Sequence, residues 1–174
     1  GLDTSTGGQA VGDFVNVTSL TAVNVSDHSG SNSVVLDLTG GPSATITVDD
    51  LTVDSSSDAT GVDLDDTGSD LTVTSSSIND TNIGVQASNA NNNVVVSGTT
   101  IENVGSQAVH VDTPGSDVAV NESTTIDQAS TGIDVDIGAQ SVDIDNVEIN
   151  GSSNAGIDVT GGSIAAGTAL NVTD

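Results

Sequence analysis

The stretch Gly132-Ile-Asp-Val135 returns 24 residues later as Gly156-Ile-Asp-Val159, and the same step occurs three more times upstream. The earlier copies are Gly61-Val-Asp-Leu64, Gly84-Val-Gln-Ala87 and Ala108-Val-His-Val111, at spacings of 23 and 24 residues. A fixed period of this length is typical of a solenoid, in which each repeat stacks on the next. The fold is therefore predicted from this spacing.

Two further columns of apolar residues follow the same period. One comprises Ile46/Val48, Leu71/Val73, Val94/Val96, Val118/Val120 and Val142/Ile144, and the other comprises Leu51/Val53, Ile78, Ile101, Ile126 and Ile149. Apolar residues two apart are what a strand with one buried face requires. We therefore predict an all-β fold, a single parallel β-helix of about six coils, with about 24 residues and three short strands per coil.

The two ends of the chain fit the repeat less well. Residues 14–160 are predicted to form the β-helix, residues 1–13 an N-terminal segment that acts as a cap or exchange strand, and residues 161–174 a partial last coil or C-terminal cap. An earlier, longer coil is expected at Val15/Val17, Val23/Val25 and Val34/Leu36, with Val34 placed 28 residues ahead of Val62. Phe14 is the only aromatic residue, and an N-terminal cap is expected from Phe14, Leu2, Val11 and Leu20.

The charge of the chain restricts its partners. It has 25 acidic residues, no Lys and no Arg, and a formal net charge of −25. Phosphate backbones are held by Lys and Arg, so we expect no binding to nucleic acid. No run approaches the ~20 apolar residues of a membrane span, so we expect no membrane insertion. Because the apolar residues recur at a fixed period, we expect order rather than the disorder that such a charge can cause.

The recurring step is preceded by Asn, Ser or Thr, as in Asn154-Ala-Gly-Ile-Asp-Val159. In this it resembles the right-handed parallel β-helix repeat of pectin-lyase-like proteins, over residues 42–160. The resemblance implies a right-handed coil, which the periodicity alone does not. The Asp-rich, Lys-free composition also resembles acidic surface proteins of halophilic archaea.

Many proteins of the pectin-lyase-like family cleave acidic polysaccharides, and the resemblance implies an Arg or Lys as the base in the lyases. This chain has neither residue, and it has no Trp or Tyr to stack on a sugar ring. Asp65 and Asp66 form a carboxylate pair of the kind used in glycoside hydrolysis. Adjacent acids are expected by composition alone in so acidic a chain. We therefore predict that the protein is not an enzyme and has no catalytic residues.

Histidine and stacked aspartates are the candidate ligands. His110 lies between the inward Val109 and Val111, so it is expected to point outward, and we interpret it as a solvated surface histidine. His28 lies in a Ser/Gly-rich turn. Four aspartates align one coil apart and are candidate Ca²⁺ ligands: Asp112 with Asp136, and Asp134 with Asp158. The alternative is a diffuse counterion cloud, and no other cofactor is expected.

Six Asn-x-Ser/Thr sequons are candidate glycosylation sites: Asn16, Asn24, Asn79, Asn121, Asn150 and Asn171. Their number is close to what the Asn, Ser and Thr content alone would produce. Asn79 and Asn150 are expected in turns and Asn121 in a strand.

The absence of a catalytic constellation, together with the repeat, favours an extracellular structural protein at the cell surface. We expect a subunit of a filament, sheath or coat, or an adhesin stalk, whose main partner is itself. Self-assembly is expected through the solenoid ends or through insertion of residues 1–10 into a neighbour. The alternative is a surface module that binds divalent cations or neutral glycans.

Overall fold

The chain is built from short strands. The computed structural model describes residues 12–15, 18–21, 23–28, 34–39, 44–55, 58–65, 67–89, 91–112, 114–136, 141–160, 164–166 and 170–173. In these ranges there are nineteen strands: β1 (Gly12–Val15), β2 (Ser19–Thr21), β3 (Asn24–His28), β4 (Val34–Thr39), β5 (Thr45–Asp49), β6 (Thr52–Ser55), β7 (Thr60–Leu64), β8 (Asp70–Thr74), β9 (Ser77–Asn79), β10 (Ile83–Ala87), β11 (Val94–Ser97), β12 (Thr100–Asp112), β13 (Asp117–Asn121), β14 (Thr124–Asp136), β15 (Ser141–Ile144), β16 (Val147–Asn150), β17 (Ala155–Val159), β18 (Ile164–Ala166) and β19 (Leu170–Thr173). This part of the chain contains no helix long and apolar enough to cross a membrane.

The strands form three faces of stacked parallel rungs, which confirms the predicted parallel β-helix. Face 1 is a seven-stranded sheet of β2, β5, β8, β11, β13, β15 and β18. The other sheet has twelve strands, and it covers two faces because β12 and β14 run around a corner. Face 2 contains β3, β6, β9, the first halves of β12 and β14, β16 and β19. Face 3 contains β1, β4, β7, β10, the second halves of β12 and β14, and β17. Seven rungs on each face are close to the predicted six coils.

The interior consists mainly of the predicted apolar ladders. On face 3, Val62 pairs in register with Val85, and Val85 with Val109. On face 2, Ile78, Ile101, Ile126 and Ile149 stack in the same way and are fully buried. Successive strand residues point to opposite sides, so every second residue enters this core and the residues between them form the outer surface.

Residues in the left-handed backbone conformation form bends at all three corners. Between faces 1 and 2 these are Asp50, Ser75, Gly98, Glu122, Ser123 and Asn146. Between faces 2 and 3 they are Asp80, Asn103, Gln128 and Gly151, and between faces 3 and 1 they are Gly68, Asn91 and Gly115. Asn, Asp and Gly adopt positive φ at lower cost than other residues. The abundance of these residue types in the sequence therefore follows partly from the need for sharp bends in each coil.

The glycine of the recurring step is required by close packing. A Cβ atom on Gly84 would lie 2.5 Å from the carbonyl oxygen of Ala108 in the next coil and 2.8 Å from Cγ2 of Ile101. Gly61 and Gly132 are confined in the same way. A Cβ atom at these three positions would therefore clash with the next coil. In β12 the equivalent residue is Ala108, whose methyl group is fully buried, so the packing there leaves room for one carbon atom.

A column of buried hydroxyls interrupts the apolar core at the corner between faces 1 and 2. Thr99 Oγ1 accepts a hydrogen bond from the backbone N–H of Ser76 (3.5 Å) and donates one to the carbonyl of Ser97 (3.1 Å). Ser76 and Thr124 hold the same place in the adjacent coils, and both are buried. The sequence predicted inward Val, Ile and Leu only. The hydroxyls are present because the bend leaves backbone N–H groups without strand partners, and buried N–H groups need an acceptor.

The predicted register of the first coils was wrong by two residues. Val34 was placed opposite Val62, whereas β4 pairs Leu36 with Val62 and Leu38 with Leu64. The offset between these coils is therefore 26 residues rather than 28. A shift of two residues keeps every side chain on the same side of the sheet, so alternation alone does not distinguish the two registers.

The residues expected to form an N-terminal cap also lie in strands. Phe14 pairs with Leu38 in face 3, and Leu20 pairs with Val48 in face 1. Both therefore occupy rung positions, as does Val25, which pairs with Val53 in face 2. Val15 pairs with Thr39. Leu2, Val11 and Val17 lie outside the described residues.

Candidate cation site on the outer surface

The outer surface of face 3 carries a column of polar residues, one from each coil. In register these are Asp37, Asp63, Gln86, His110, Asp134 and Asp158. The residues from Asp63 to Asp158 are the third residues of the recurring step, and the strand pairing confirms the alignment that its spacing predicts. Adjacent strands lie about 4.8 Å apart, so each of these side chains stacks directly on its neighbours.

Asp63 is the electrostatically unusual member of the column. Partial burial, together with the nearby carboxylates of Asp65 and Asp37, raises the pKa of its carboxyl to about 6. Its Oδ1 atom is shielded from solvent and makes no hydrogen bond. Asp63 was not among the predicted site residues, although its alignment with Asp37 of the preceding coil is the signal that could have identified it.

The chain has no Lys or Arg to pair with its carboxylates, and neutral donors from neighbouring coils bind them instead. Six carboxylates each accept a hydrogen bond from a hydroxyl or amide 24 to 27 residues away: Asp49 from Thr74 (2.8 Å), Asp54 from Asn79 (3.0 Å), Asp65 from Asn89 (2.6 Å), Asp117 from Ser141 (2.6 Å), Glu122 from Ser97 (2.6 Å) and Asp134 from Gln107 (3.1 Å). Hydrogen bonds to an ionised group are stronger than those between neutral groups. The acidic surface is thus bound into the coil-to-coil packing.

One group of side chains converges as metal ligands would. His110, Asp134 and Asp136 each offer a ligand atom, and the three atoms lie within 4.8 Å of one another. Nδ1 of His110 is 3.3 Å from Oδ2 of Asp134, and the side chain of His110 is only 17% exposed. His110 therefore points outward as predicted but is not the freely solvated residue that we expected, because it is packed against the next coil.

The four aspartates predicted to bind Ca²⁺ are only partly brought together. Asp112 aligns with Asp136, and Asp134 with Asp158, as the repeat predicted. Among the described residues, however, only Asp134 and Asp136 belong to a converging group of three or more potential ligands. Asp158 is exposed on the last rung of face 3. His110 was predicted to be solvated rather than a ligand, and its place beside Asp134 in the column was the available signal.

Three of the candidate glycosylation sites have described side chains. Asn79 ends β9, donates to Asp54 and accepts a hydrogen bond from the Asn103 amide (2.8 Å). Asn150 donates to Glu148 (3.2 Å) and, like Asn79, is the last residue of a strand, here β16, rather than a turn residue as predicted. Asn121 ends β13 as expected, and its Oδ1 is shielded from solvent. Asn24 and Asn171 lie in β3 and β19, and Asn16 is outside the described residues. Glycosylation at these positions stays a prediction.

The carboxylate pair considered for catalysis is described only in part. Asp65 accepts the hydrogen bond from Asn89, while Asp66 lies outside the described residues. His28, which was predicted in a turn, is instead the last residue of β3, where it pairs with Ser55. Asp65 is not in the group formed by His110, Asp134 and Asp136.

Comparison with known proteins agrees with the architecture. A family profile described as "right handed beta helix region" matches residues 11–171, which is most of the chain. No curated protein and no solved structure matches the chain significantly. The right-handed sense of the coil, which the sequence predicted through the family resemblance alone, is confirmed. The chain belongs to the right-handed β-helix family.

Proposed function

We propose that the protein is a non-enzymatic extracellular structural module, a subunit of a surface filament, sheath or coat, or an adhesin stalk. The observation that carries this proposal is the stack of parallel rungs, whose outermost strands pair on one side only within the described residues. At one end β1, β2 and β3 each pair on one side only, with β4, β5 and β6. At the other end β17, β18 and β19 likewise have single partners. Such edges are templates for pairing with another chain.

A catalytic role has less support. Right-handed β-helix domains occur in enzymes such as pectate lyases and also in proteins that are not enzymes. Here the sequence has no Lys or Arg to bind an acidic sugar, and no Trp or Tyr to stack on a neutral one. Asp63, with a pKa near 6, is the nearest approach to a general acid. Its surroundings include no cation, and we assign the carboxyl no catalytic step.

An extracellular location fits the amino-acid composition and the charge of the chain. With no Lys and no Arg, the chain offers no cleavage site to trypsin-like proteases, which suits a durable surface structure. Its net charge of −25 keeps it away from nucleic acid, which requires cationic side chains. We therefore place the module outside the cell, with copies of itself as its principal partner.

Electron microscopy of the purified, untagged protein tests the proposal. We expect filaments or sheets at high salt, with an axial repeat that accommodates a column on the order of 30 Å tall. Deletion of residues 1–10 separates the two modes of assembly, because it abolishes filaments that depend on segment exchange and leaves end-to-end stacking intact. Dispersed monomers at high salt and with Ca²⁺ would contradict a self-assembling structural role.

A second candidate function is a cation-binding surface module. The observation that favours it is the convergence of His110, Asp134 and Asp136. It differs from the first candidate in that binding would be measurable in the isolated monomer.

A further inference from the structure

His110, Asp134 and Asp136 are placed by two neighbouring strands. In β12 and β14, His110 pairs with Asp134 and Asp112 with Asp136, so His110 stacks on one carboxylate and lies diagonal to the other. All three residues are partly buried, and their ligand atoms lie within 4.8 Å of one another. Partial burial raises the strength of electrostatic interactions relative to those on an open surface.

The contact between His110 and Asp134 is incomplete as it stands. Nδ1 of His110 is shielded from solvent, and despite its 3.3 Å separation from Oδ2 of Asp134 it makes no hydrogen bond. In the neutral tautomer that has its proton on Nε2, the Nδ1 of imidazole carries a lone pair, as does a carboxylate oxygen. Their close approach is favourable when a proton or a cation lies between them. The shielded nitrogen is therefore an observation, independent of the acidic charge, that points to a ligand.

The separation of these two atoms suits a shared metal ion. Zn²⁺ binds imidazole nitrogen and carboxylate oxygen at about 2.0–2.2 Å, which places two ligand atoms of a tetrahedral site about 3.3–3.5 Å apart. The identity of the ligands separates the possible metals. Ca²⁺ takes six to eight oxygen ligands, whereas imidazole suits Zn²⁺ and other divalent transition metals. One imidazole and two carboxylates match the second group, with water completing the coordination.

The carboxylate of Asp134 is also held by a hydrogen bond to Oδ2, the oxygen that faces His110. The Gln107 amide donates to Oδ2 of Asp134 (3.1 Å), and the hydroxyl of Ser106 donates to Oε1 of Gln107 (2.6 Å). Hydrogen bonds of this kind orient metal ligands and account for a large part of a site's affinity. The chain from Ser106 through Gln107 to Asp134 restrains the carboxylate without neutralising it.

We propose that His110, Asp134 and Asp136 form a binding site for a divalent transition-metal ion of the Zn²⁺ class that links the coils of β12 and β14. The bound ion cross-links two adjacent coils on the outer surface of face 3, and its binding does not depend on assembly into filaments. It replaces the predicted set of four aspartates with one histidine and two aspartates. Ca²⁺ is therefore not its preferred ion.

Calorimetric titration of untagged protein with Zn²⁺, in the presence of an approximately hundredfold excess of Ca²⁺, tests the proposal. We expect one Zn²⁺ per chain and a rise in melting temperature that Ca²⁺ alone does not reproduce. His110→Gln should weaken Zn²⁺ binding by about tenfold or more, since loss even of a residue that orients a ligand costs about 10–100-fold. Asp136→Asn should have a similar effect.

Two matched controls separate the site from general charge effects. Asp112→Asn removes the same charge at the equivalent position one coil earlier, and His28→Gln removes the other histidine. Both should retain wild-type affinity within about threefold, which is smaller than the loss expected at a true ligand. Equal affinity in His110→Gln and wild type, or full displacement of Zn²⁺ by Ca²⁺, would overturn the proposal in favour of a diffuse counterion cloud.

A measurement on the wild type covers the case in which a variant does not fold. The chain has only two histidines, so the imidazole nitrogen resonances can be assigned from His28→Gln alone. Zn²⁺ should shift the His110 nitrogens and leave those of His28 unchanged. If neither histidine responds to Zn²⁺, the site does not exist as proposed.

Discussion

At the scale of single residues, Asp63 shows how the outer columns affect stability. Burial together with the carboxylates of Asp65 and Asp37 raises its pKa from 3.8 to about 6. The folded chain therefore binds a proton more tightly than the unfolded chain does. By linkage, the contribution of Asp63 to stability falls as the pH rises from about 4 through 6 and stays low above that range.

Replacing Asp63 with Asn removes the loss of stability that its ionisation causes at high pH. We expect Asp63→Asn to raise the free energy of unfolding at pH 8 by about 1–2 kcal/mol, because one pKa unit corresponds to about 1.4 kcal/mol and partial exposure reduces the full effect. At pH 4 the gain should be much smaller. Urea unfolding at both pH values measures this gain in the free energy of unfolding. The control is Asp158→Asn, which removes an exposed charge from the same column. A gain for Asp63→Asn that is the same at both pH values would rule out this account.

At the scale of the structural element, the corners are more demanding than the strands. The buried hydroxyl of Thr99 satisfies the N–H of Ser76 and a carbonyl at a bend where the strand ladder is interrupted. Valine has the shape of threonine without the hydroxyl. Thr99→Val should therefore destabilise the fold by about 1–3 kcal/mol, the cost of buried groups left without a partner.

The outward neighbour provides the control for this substitution. Thr100→Val makes the same chemical change at the first residue of β12, which is only partly buried. We expect a change within about 0.5 kcal/mol there, as for most surface positions. Thermal or urea unfolding of both variants measures the difference. An equal effect at the two positions would show that the hydroxyl column does not satisfy the bend.

The elements also show which parts of the fold could be predicted. The apolar ladders were visible because the periods of two and 24 residues both appear directly in the sequence. The register of β4 could not be predicted from the sequence, because a shift of two residues preserves the alternation. The hydroxyl column was missed because Ser76, Thr99 and Thr124 look like ordinary turn residues. The packing of His110 depends on where the side chains of Gln107, Asp134 and Asp136 extend, which the spacing of a single chain does not specify.

At the scale of the whole molecule, the arrangement of charge sets the conditions under which the fold is stable. Like charges stack at the spacing of adjacent strands in the pairs Asp37–Asp63, Asp112–Asp136 and Asp134–Asp158. Neutral donors bind many carboxylates but leave the net charge of −25 unchanged. Two exposed charges this close repel by about 1 kcal/mol in water, so the column as a whole is under strong self-repulsion in dilute buffer.

Salt should therefore stabilise the solenoid. Between 0.1 and 1 M NaCl the screening length falls from about 10 Å to about 3 Å, which is shorter than the distance between adjacent rungs. Over the three stacked pairs this relieves about 1 kcal/mol, since 0.1 M salt already screens part of the repulsion. At about 2–4 °C per kcal/mol for a chain of this size, the melting temperature should rise by about 2–4 °C. Calorimetry in NaCl, with sucrose at matched osmolality as the uncharged comparison, distinguishes screening from solute exclusion. A melting temperature that is flat or falling in NaCl would mean that cations bound at fixed positions, rather than mobile ions, already compensate the charge.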